Sequence, residues 1–219
     1  MTAFAKTYLA PRERLPAMLL VSSYLFGTVM LAHHLVDGFV YLTALHLLFT
    51  TGLLVITHRP RPTVSLYGWL LACALLGWSA EYIGVHGKWL FGEYVYGDVL
   101  GPKVFGIPLV IGINWVVVVY AVCGTLNMLP LRIPRLLKVF VSSLCLVLLD
   151  VLIEPVAIQL DYWTWASGDP PLQNYLGWLV ISLLQSVLFY LLIPYTENRL
   201  APLLLVLQVI FFGYLTLQS

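Results

Sequence analysis

RLLKVFVSSLCLVLLDVLIEPVAI occupies residues 135–158. Past the basic residues of its first turn it stays apolar long enough to cross a hydrocarbon core of roughly 30 Å, which takes about 20 residues of helix. Its second half nevertheless carries Asp150 and Glu154, spaced i, i+4 and therefore on one helix face. An ionised acid near a bilayer centre costs roughly 2.5–3.5 kcal/mol on insertion scales, so such residues face a polar interior. No basic residue lies in that half to neutralise them. The stretch reads as a membrane span with polar chemistry on its inward face.

The rest of the sequence agrees. Of 219 residues, 61% are hydrophobic and 10% charged, against about 25% charged in soluble domains, and the mean hydropathy is +0.93. Seven apolar runs are legible: Leu15–His34, Gly38–Thr57, Val64–Val85, Ile107–Met128, Arg135–Ile158, Asn174–Pro194 and Leu200–Leu217. Turn signals separate them at Val36-Asp37-Gly38, at residues 58–62, at residues 129–134 and at residues 170–173. The expected fold is an all-α membrane bundle of about seven transmembrane helices, a single domain over residues 1–219 with no room for a soluble one. The first run lacks a small-residue cleavage site and reads as a retained helix. The net charge of +1 gives no reason to expect a nucleic-acid partner. Cys73, Cys123 and Cys145 each lie inside an apolar run without a CxxC, so neither a disulfide framework nor a zinc site is expected.

Basic residues orient the bundle. Lys6, Arg12, Arg14, Arg59, Arg61, Arg132, Arg135, Lys138 and Arg199 all fall on one side, against Lys88 and Lys103 on the other. The N-terminus is therefore expected in the cytoplasm and the C-terminus outside. Glu13 and Glu197 fall on the cytoplasmic side, while Asp37, Glu81, Glu93, Asp98, Asp150, Glu154, Asp161 and Asp169 fall in outer loops or outer halves of helices. Acids contribute little to orientation, so this asymmetry points to a polar site near the outer face.

Residues 81–102, EYIGVHGKWLFGEYVYGDVLGP, run from the acid-bearing end of the third helix into a loop dense in glycine, tyrosine and acid. The fourth and sixth helices enter from the same side, and each brings an amide and an indole: Asn114 with Trp115, and Asn174 with Trp178. The outer connection between the fifth and sixth helices reads Asp161-Tyr162-Trp163-Thr164-Trp165. Helices three–four and five–six thus each form a hairpin of acid, aromatic loop, and amide with indole. Two carboxyls on one face repel, and burial disfavours their charged forms. A carboxyl that keeps its proton near neutral pH can serve as a general acid. Interfacial anchoring accounts for part of the aromatic content, and Glu93, Asp98 and Asp169, in loops, can be solvated or pair with Lys88 or Lys103.

Several chemistries are excluded or weakened. A covalent retinal pigment needs a lysine in the last helix, and residues 200–217 contain none. A membrane di-iron site needs spaced histidine boxes, whereas His33 and His34 are adjacent, His58 falls on the cytoplasmic side, and only His46 and His86 remain. No metal is expected. A phosphate-cradling loop is missing, and neither a convincing inverted repeat nor a broken helix pair supports a transporter.

The ordered motifs Glu81-x-x-Gly84, Phe91-Gly92-Glu93-Tyr94-Val95-Tyr96, Leu100-Gly101-Pro102, Gly106-Ile107-Pro108 and Asn114-Trp115 continue in the second half with Asp150, Glu154-Pro155, Tyr162-Trp163-Thr164-Trp165, Pro171, Asn174 and Gly177-Trp178. Over about residues 64–180 this set resembles the integral-membrane carotenoid hydratases, the carotenoid 1,2-hydratases of bacteria and the bisanhydrobacterioruberin hydratases of haloarchaea. The resemblance implies an enzyme of the cytoplasmic (inner) membrane of a prokaryote. It would add water across the terminal double bond of an acyclic or monocyclic carotenoid without a cofactor. A carboxylic acid protonates the less substituted carbon, and water captures the tertiary cation to give a tertiary alcohol. From their chemistry, Asp150 or Glu154 is the expected proton donor and Glu81 the base that orients water. Asn174 or Asn114 would hold that water, and Tyr94, Tyr96, Trp115, Trp163, Trp165 and Trp178 would shape the end-group site. Aromatic faces stabilise a nearby cation by about 0.5–2 kcal/mol each. Three other readings stay open: an acid-catalysed carotenoid cyclase, a non-catalytic carotenoid or lipid binding protein, and a proton-coupled transporter. Which carotenoid is taken, whether one or both ends react, and the oligomeric state are not legible.

Overall fold

A computed structural model describes residues 9–33, 35–60, 63–129 and 133–218. Lys6, Arg61 and Arg132 of the basic series, and His34, lie outside the described residues. The described residues form seven α-helices: α1 (Pro11–Ala32), α2 (Thr43–Thr57, entered through the 3-10 turn Phe39–Leu42), α3 (Val64–Gly87), α4 (Val110–Met128), α5 (Arg135–Gln159), α6 (Leu172–Leu192) and α7 (Leu200–Thr216). Six are long and apolar enough to cross a membrane, taking the 3-10 turn with α2; α7 is shorter, at 17 residues. Each expected span has its helix, and the all-α bundle is the observed architecture.

Helix α4 is the axis. It touches α2, α3, α5, α6 and α7, and every residue from Trp115 to Gly124 is buried. A helix apolar all round belongs inside, and small residues let its neighbours approach. At Gly112 an added Cβ would sit 2.6 Å from the carbonyl oxygen of Ala74 on α3. The outward faces of the surrounding helices expose Leu45, Leu71, Leu148 and Leu191. Hydrocarbon suits such faces, which in water would drive association.

The boundaries depart from the apolar runs where local chemistry intervenes. Helix α1 starts at Pro11 rather than Leu15, because proline fits the first helical position and the Glu13 carboxylate accepts from the Ala10 amide at 2.8 Å. Helix α4 starts at Val110 rather than Ile107. The residues before it turn back as a small hairpin, β2 (Lys103–Val104) with β3 (Ile107–Pro108), through Phe105 and Gly106 at φ +51° and +77°. Helix α6 starts at Leu172, behind Pro171, two residues before the expected Asn174.

The loops hold structure that apolar runs do not reveal. β1 (Tyr94–Tyr96) pairs antiparallel with β4 (Trp163–Trp165), placing Tyr94 opposite Trp165 and Tyr96 opposite Trp163. Bonds from Gly97 N to Tyr162 O and from Ala166 N to Glu93 O, 3.0 and 2.9 Å, extend the ladder. The α3–α4 connection is thereby tied to the α5–α6 connection. At the opposite end of the bundle Glu13 is buried, with Arg59 and Arg199 at 3.8 and 4.0 Å. These two arginines come from different segments of the basic series, which Glu13 thus brings together.

Candidate active site

Glu81 lies near the C-terminal end of α3, buried among donors. Its Oε2 accepts from the Tyr94 and Tyr96 hydroxyls, both at 2.7 Å, and its Oε1 from Trp115 Nε1 at 3.0 Å. Two glycines make room for them. A Cβ at Gly77, one turn before Glu81, would lie 2.5 Å from the Trp115 ring; one at Gly84, a turn later, would lie 2.4 Å from Phe91 and 2.9 Å from the Tyr94 hydroxyl. The Glu81-x-x-Gly84 spacing therefore has a steric cause: the glutamate's partners occupy the space that a side chain at 84 would take.

Glu154 on α5 mirrors this arrangement. Its Oε2 accepts from the indole N–H groups of Trp163 and Trp165 at 3.0 and 2.9 Å, and its Oε1 from Asn174 Nδ2 at 3.1 Å. The same Asn174 nitrogen donates to Asp150 Oδ2 at 2.9 Å. An amide nitrogen has two hydrogens, and here each goes to a different carboxyl. Asp150 is fully enclosed, and its Oδ1 has no hydrogen-bond partner among the described residues.

The β1–β4 pair joins the halves. Alternation puts Tyr94, Tyr96, Trp163 and Trp165 inward, while Val95 is exposed. Tyr94 lies 4.9 Å from Trp165 between ring centroids, and Tyr96 meets Trp163 edge-on at 5.9 Å. Behind them Trp115 stacks on Trp178 at 4.2 Å. Burial, and then the neighbouring Glu81 carboxylate, push the Tyr94 and Tyr96 phenols well above their ordinary range. Both therefore stay neutral donors throughout the physiological range.

These side chains enclose a chamber of about 20 Å³. Its wall holds Glu81, Glu154, Asn114, Asn174 and the six aromatic residues Tyr94, Tyr96, Trp115, Trp163, Trp165 and Trp178. Ten of the eleven residues singled out in the sequence meet there. Asp150 does not reach the wall; it stands behind Asn174. Phe91 and Ile111 complete the lining and carried no chemical signal in the sequence. The loop acids have ordinary partners. Glu93 pairs with Lys88, and Asp98 with Lys103 at 2.6 Å, which holds the Asp98 carboxyl below its usual range.

Three histidines are dispersed over the bundle. His46 bonds Ser23 at 3.2 Å, His58 meets the Tyr120 hydroxyl at the basic end, and exposed His86 bonds the Tyr82 carbonyl at 3.0 Å. Among the described residues no three His, Cys, Asp or Glu side chains converge as metal ligands.

Comparison with known proteins identifies the family of the chain. A family model described as "Carotenoid biosynthesis protein" matches residues 38–218. Over 129 residues the chain is 30% identical to the bisanhydrobacterioruberin hydratase of Haloarcula japonica, a stretch covering 55% of this chain and 43% of that protein. The chain thus spans less than half the length of that relative. No solved structure matches.

Proposed function

The chain belongs to the carotenoid biosynthesis protein family, and from that premise we propose that it hydrates the terminal double bond of an acyclic carotenoid end group by acid catalysis. The observation that carries this reading is the chamber between Glu81 and Glu154. At about 20 Å³ it exceeds the roughly 10–15 Å³ that one water requires, and its wall offers that water two carboxyls and two amides. A hydratase needs one water held against a carbon cation, with acid and base at hand and ring faces around it.

Glu154 is the carboxyl that delivers the proton. It and Asp150 lie within hydrogen-bond distance of one amide nitrogen, and two such buried carboxyls do not both carry charge cheaply. The pair carries a proton, and Glu154 is the member that faces the chamber. Transfer to the less substituted carbon uses the alkene π pair to form the new C–H bond and leaves a tertiary cation. The water oxygen attacks the tertiary cationic carbon, and Glu81 takes the proton released. Return of that proton to the Asp150–Glu154 pair resets the site, so the balance is one water added and no change in the enzyme. The tyrosine, indole and amide donors hold both glutamates at fixed positions, and the rings stabilise the cation by about 0.5–2 kcal/mol each.

The same acid and rings suit ring closure, in which an internal alkene captures the cation. A polar water-sized space beside the acid favours water as the nucleophile. In orientation, the basic residues support a cytoplasmic N-terminus with the chamber toward the outer face, and the resemblance implies a prokaryotic inner membrane.

The test is expression in a bacterium that accumulates lycopene, grown partly in heavy-oxygen water, with chromatography and mass detection of the pigments. A more polar product heavier by one or two waters, bearing the heavy oxygen, is expected. A product of unchanged mass and altered spectrum overturns hydration in favour of cyclisation.

A further inference from the structure

Beside the chamber lies a second and much larger cavity, of about 370 Å³, bounded by α1, α2 and α7. Its wall is hydrocarbon and ring: Tyr24, Phe26, Leu45, Phe49, Phe211 and Phe212 among others. Phe26, Leu45 and Phe49 are also exposed, apolar surface that suits lipid rather than water. At its other end Ile111, Asn114 and Trp163 line both spaces. The large cavity therefore borders the chamber whose wall holds the carboxyls.

We infer that this cavity is the binding channel for the polyene chain, which enters laterally between helices and presents its terminal alkene past Asn114 and Trp163. The inference rests on the hydration reading for the identity of the chain, and adds where that chain lies. A rigid conjugated chain soluble in the bilayer needs an apolar slot reached from lipid and closed at the reacting end by polar groups, and both conditions are met here. One further feature marks the cavity as more than loose packing. Gln208 on α7 is buried and lines it, yet its Oε1 has no hydrogen-bond partner among the described residues. An unmet buried acceptor is costly. Facing a ligand channel, it can accept from a hydroxyl carried on the bound chain, with the Ser23–His46 hydrogen bond as a second polar spot on the same wall.

Gly27 supplies the test. It lines the cavity, and among the described residues a Cβ there would touch only Phe211, at 3.9 Å, so a longer side chain grows into the open space. Gly52 on α2 is exposed, and a Cβ there meets nothing within 4 Å among the described residues. Parent, Gly27→Phe and Gly52→Phe proteins are purified in mild detergent from a lycopene-accumulating strain. Retained polyene is read by absorbance and hydration by mass. Gly27→Phe is expected to lose polyene about tenfold, as the overpacking cost implies, with Gly52→Phe unchanged. Should Gly27→Phe fail to purify, the milder Gly27→Leu gives the same comparison. A filled variant that retains polyene and forms product like the parent overturns the channel and leaves the hydration reading standing. A parent that retains polyene through Gly27-dependent binding but returns it without added water defeats hydration and keeps the channel. A parent that retains no polyene overturns the channel.

Discussion

Tyr96 and Trp163 stand opposite each other in the β1–β4 pair, and each donates to a different carboxyl: Tyr96 to Glu81 at 2.7 Å, Trp163 to Glu154 at 3.0 Å. A three-residue ladder thereby fixes the separation of two buried acids that belong to different helices. Glu81→Gln and Glu154→Gln keep the shape of the site and remove the proton-transfer group. Each is expected to lower product formation by about 10²–10⁴-fold, the usual worth of a positioned acid or base, with little loss of melting temperature. Tyr96→Phe and Trp163→Phe remove one donor each and should cost less. Parental turnover in both glutamine variants would sink the assignment of this site.

Asn174 is the link between Asp150 and Glu154. Asn174→Leu strips a donor from both carboxyls at once, and leaving buried groups unpaired costs about 1–3 kcal/mol. The variant should melt several degrees below the parent and lose turnover. Asp150→Asn removes the partner carboxyl without touching the chamber wall. It should slow hydration yet keep polyene bound, whereas a purely structural Asp150 would leave the rate per folded protein unchanged. Denaturation curves and product formation per bound polyene separate the two effects.

Alkaline pH provides a test that bypasses the chemistry. Tyr94 and Tyr96 are held well above their ordinary range, first by burial and then by Glu81. The unfolded phenols ionise near pH 10. Below that pH, folded and unfolded states hold these protons alike and the contribution to stability is fully present. Above it only the unfolded chain releases them, so stability falls as pH rises, by about 1.4 kcal/mol per pH unit for each phenol. Between about pH 10 and 12 the parent should lose stability more steeply than Tyr94→Phe/Tyr96→Phe. Equal slopes in denaturation curves over that interval would contradict the burial of the pair.

The acids were legible because charge inside an apolar run is costly. That alone drew attention to Asp150 and Glu154, and repetition of amide and indole at two helix starts drew in Asn114, Trp115, Asn174 and Trp178. The strands were not legible, although Tyr94-Val95-Tyr96 and Trp163-Thr164-Trp165 both alternate with period two. Three residues are too few to separate alternation from chance, and the pairing joins segments remote in sequence. The rank of Asp150 was equally hidden: i, i+4 spacing puts it on the face of Glu154 but does not say which of them reaches the chamber. Phe91 stood in the sequence only as part of a motif, and Ile111 and the α1–α2–α7 cavity left no trace, because apolar residues that line a cavity look the same as those that fill a core.

Gly84 offers the sharpest separation between packing and chemistry. An added Cβ there would meet Phe91 at 2.4 Å and the Tyr94 hydroxyl at 2.9 Å, and Tyr94 donates to Glu81 through that hydroxyl. Phe91 packs at the Gly177 position of α6, where a Cβ would lie 2.6 Å from its ring, so it has little room to retreat. Gly84→Ala should therefore cost about 1–3 kcal/mol as overpacking and also pull a donor off Glu81, lowering turnover in the fraction that stays folded. Gly68→Ala on the same helix meets nothing within 4 Å, and alanine is the better helix former by roughly 1 kcal/mol. It should leave turnover unchanged and raise the melting temperature slightly. Thermal melts with product formation normalised to folded protein decide the matter: if both alanine variants behave alike, the glycine at 84 is not what seats the tyrosine on the glutamate.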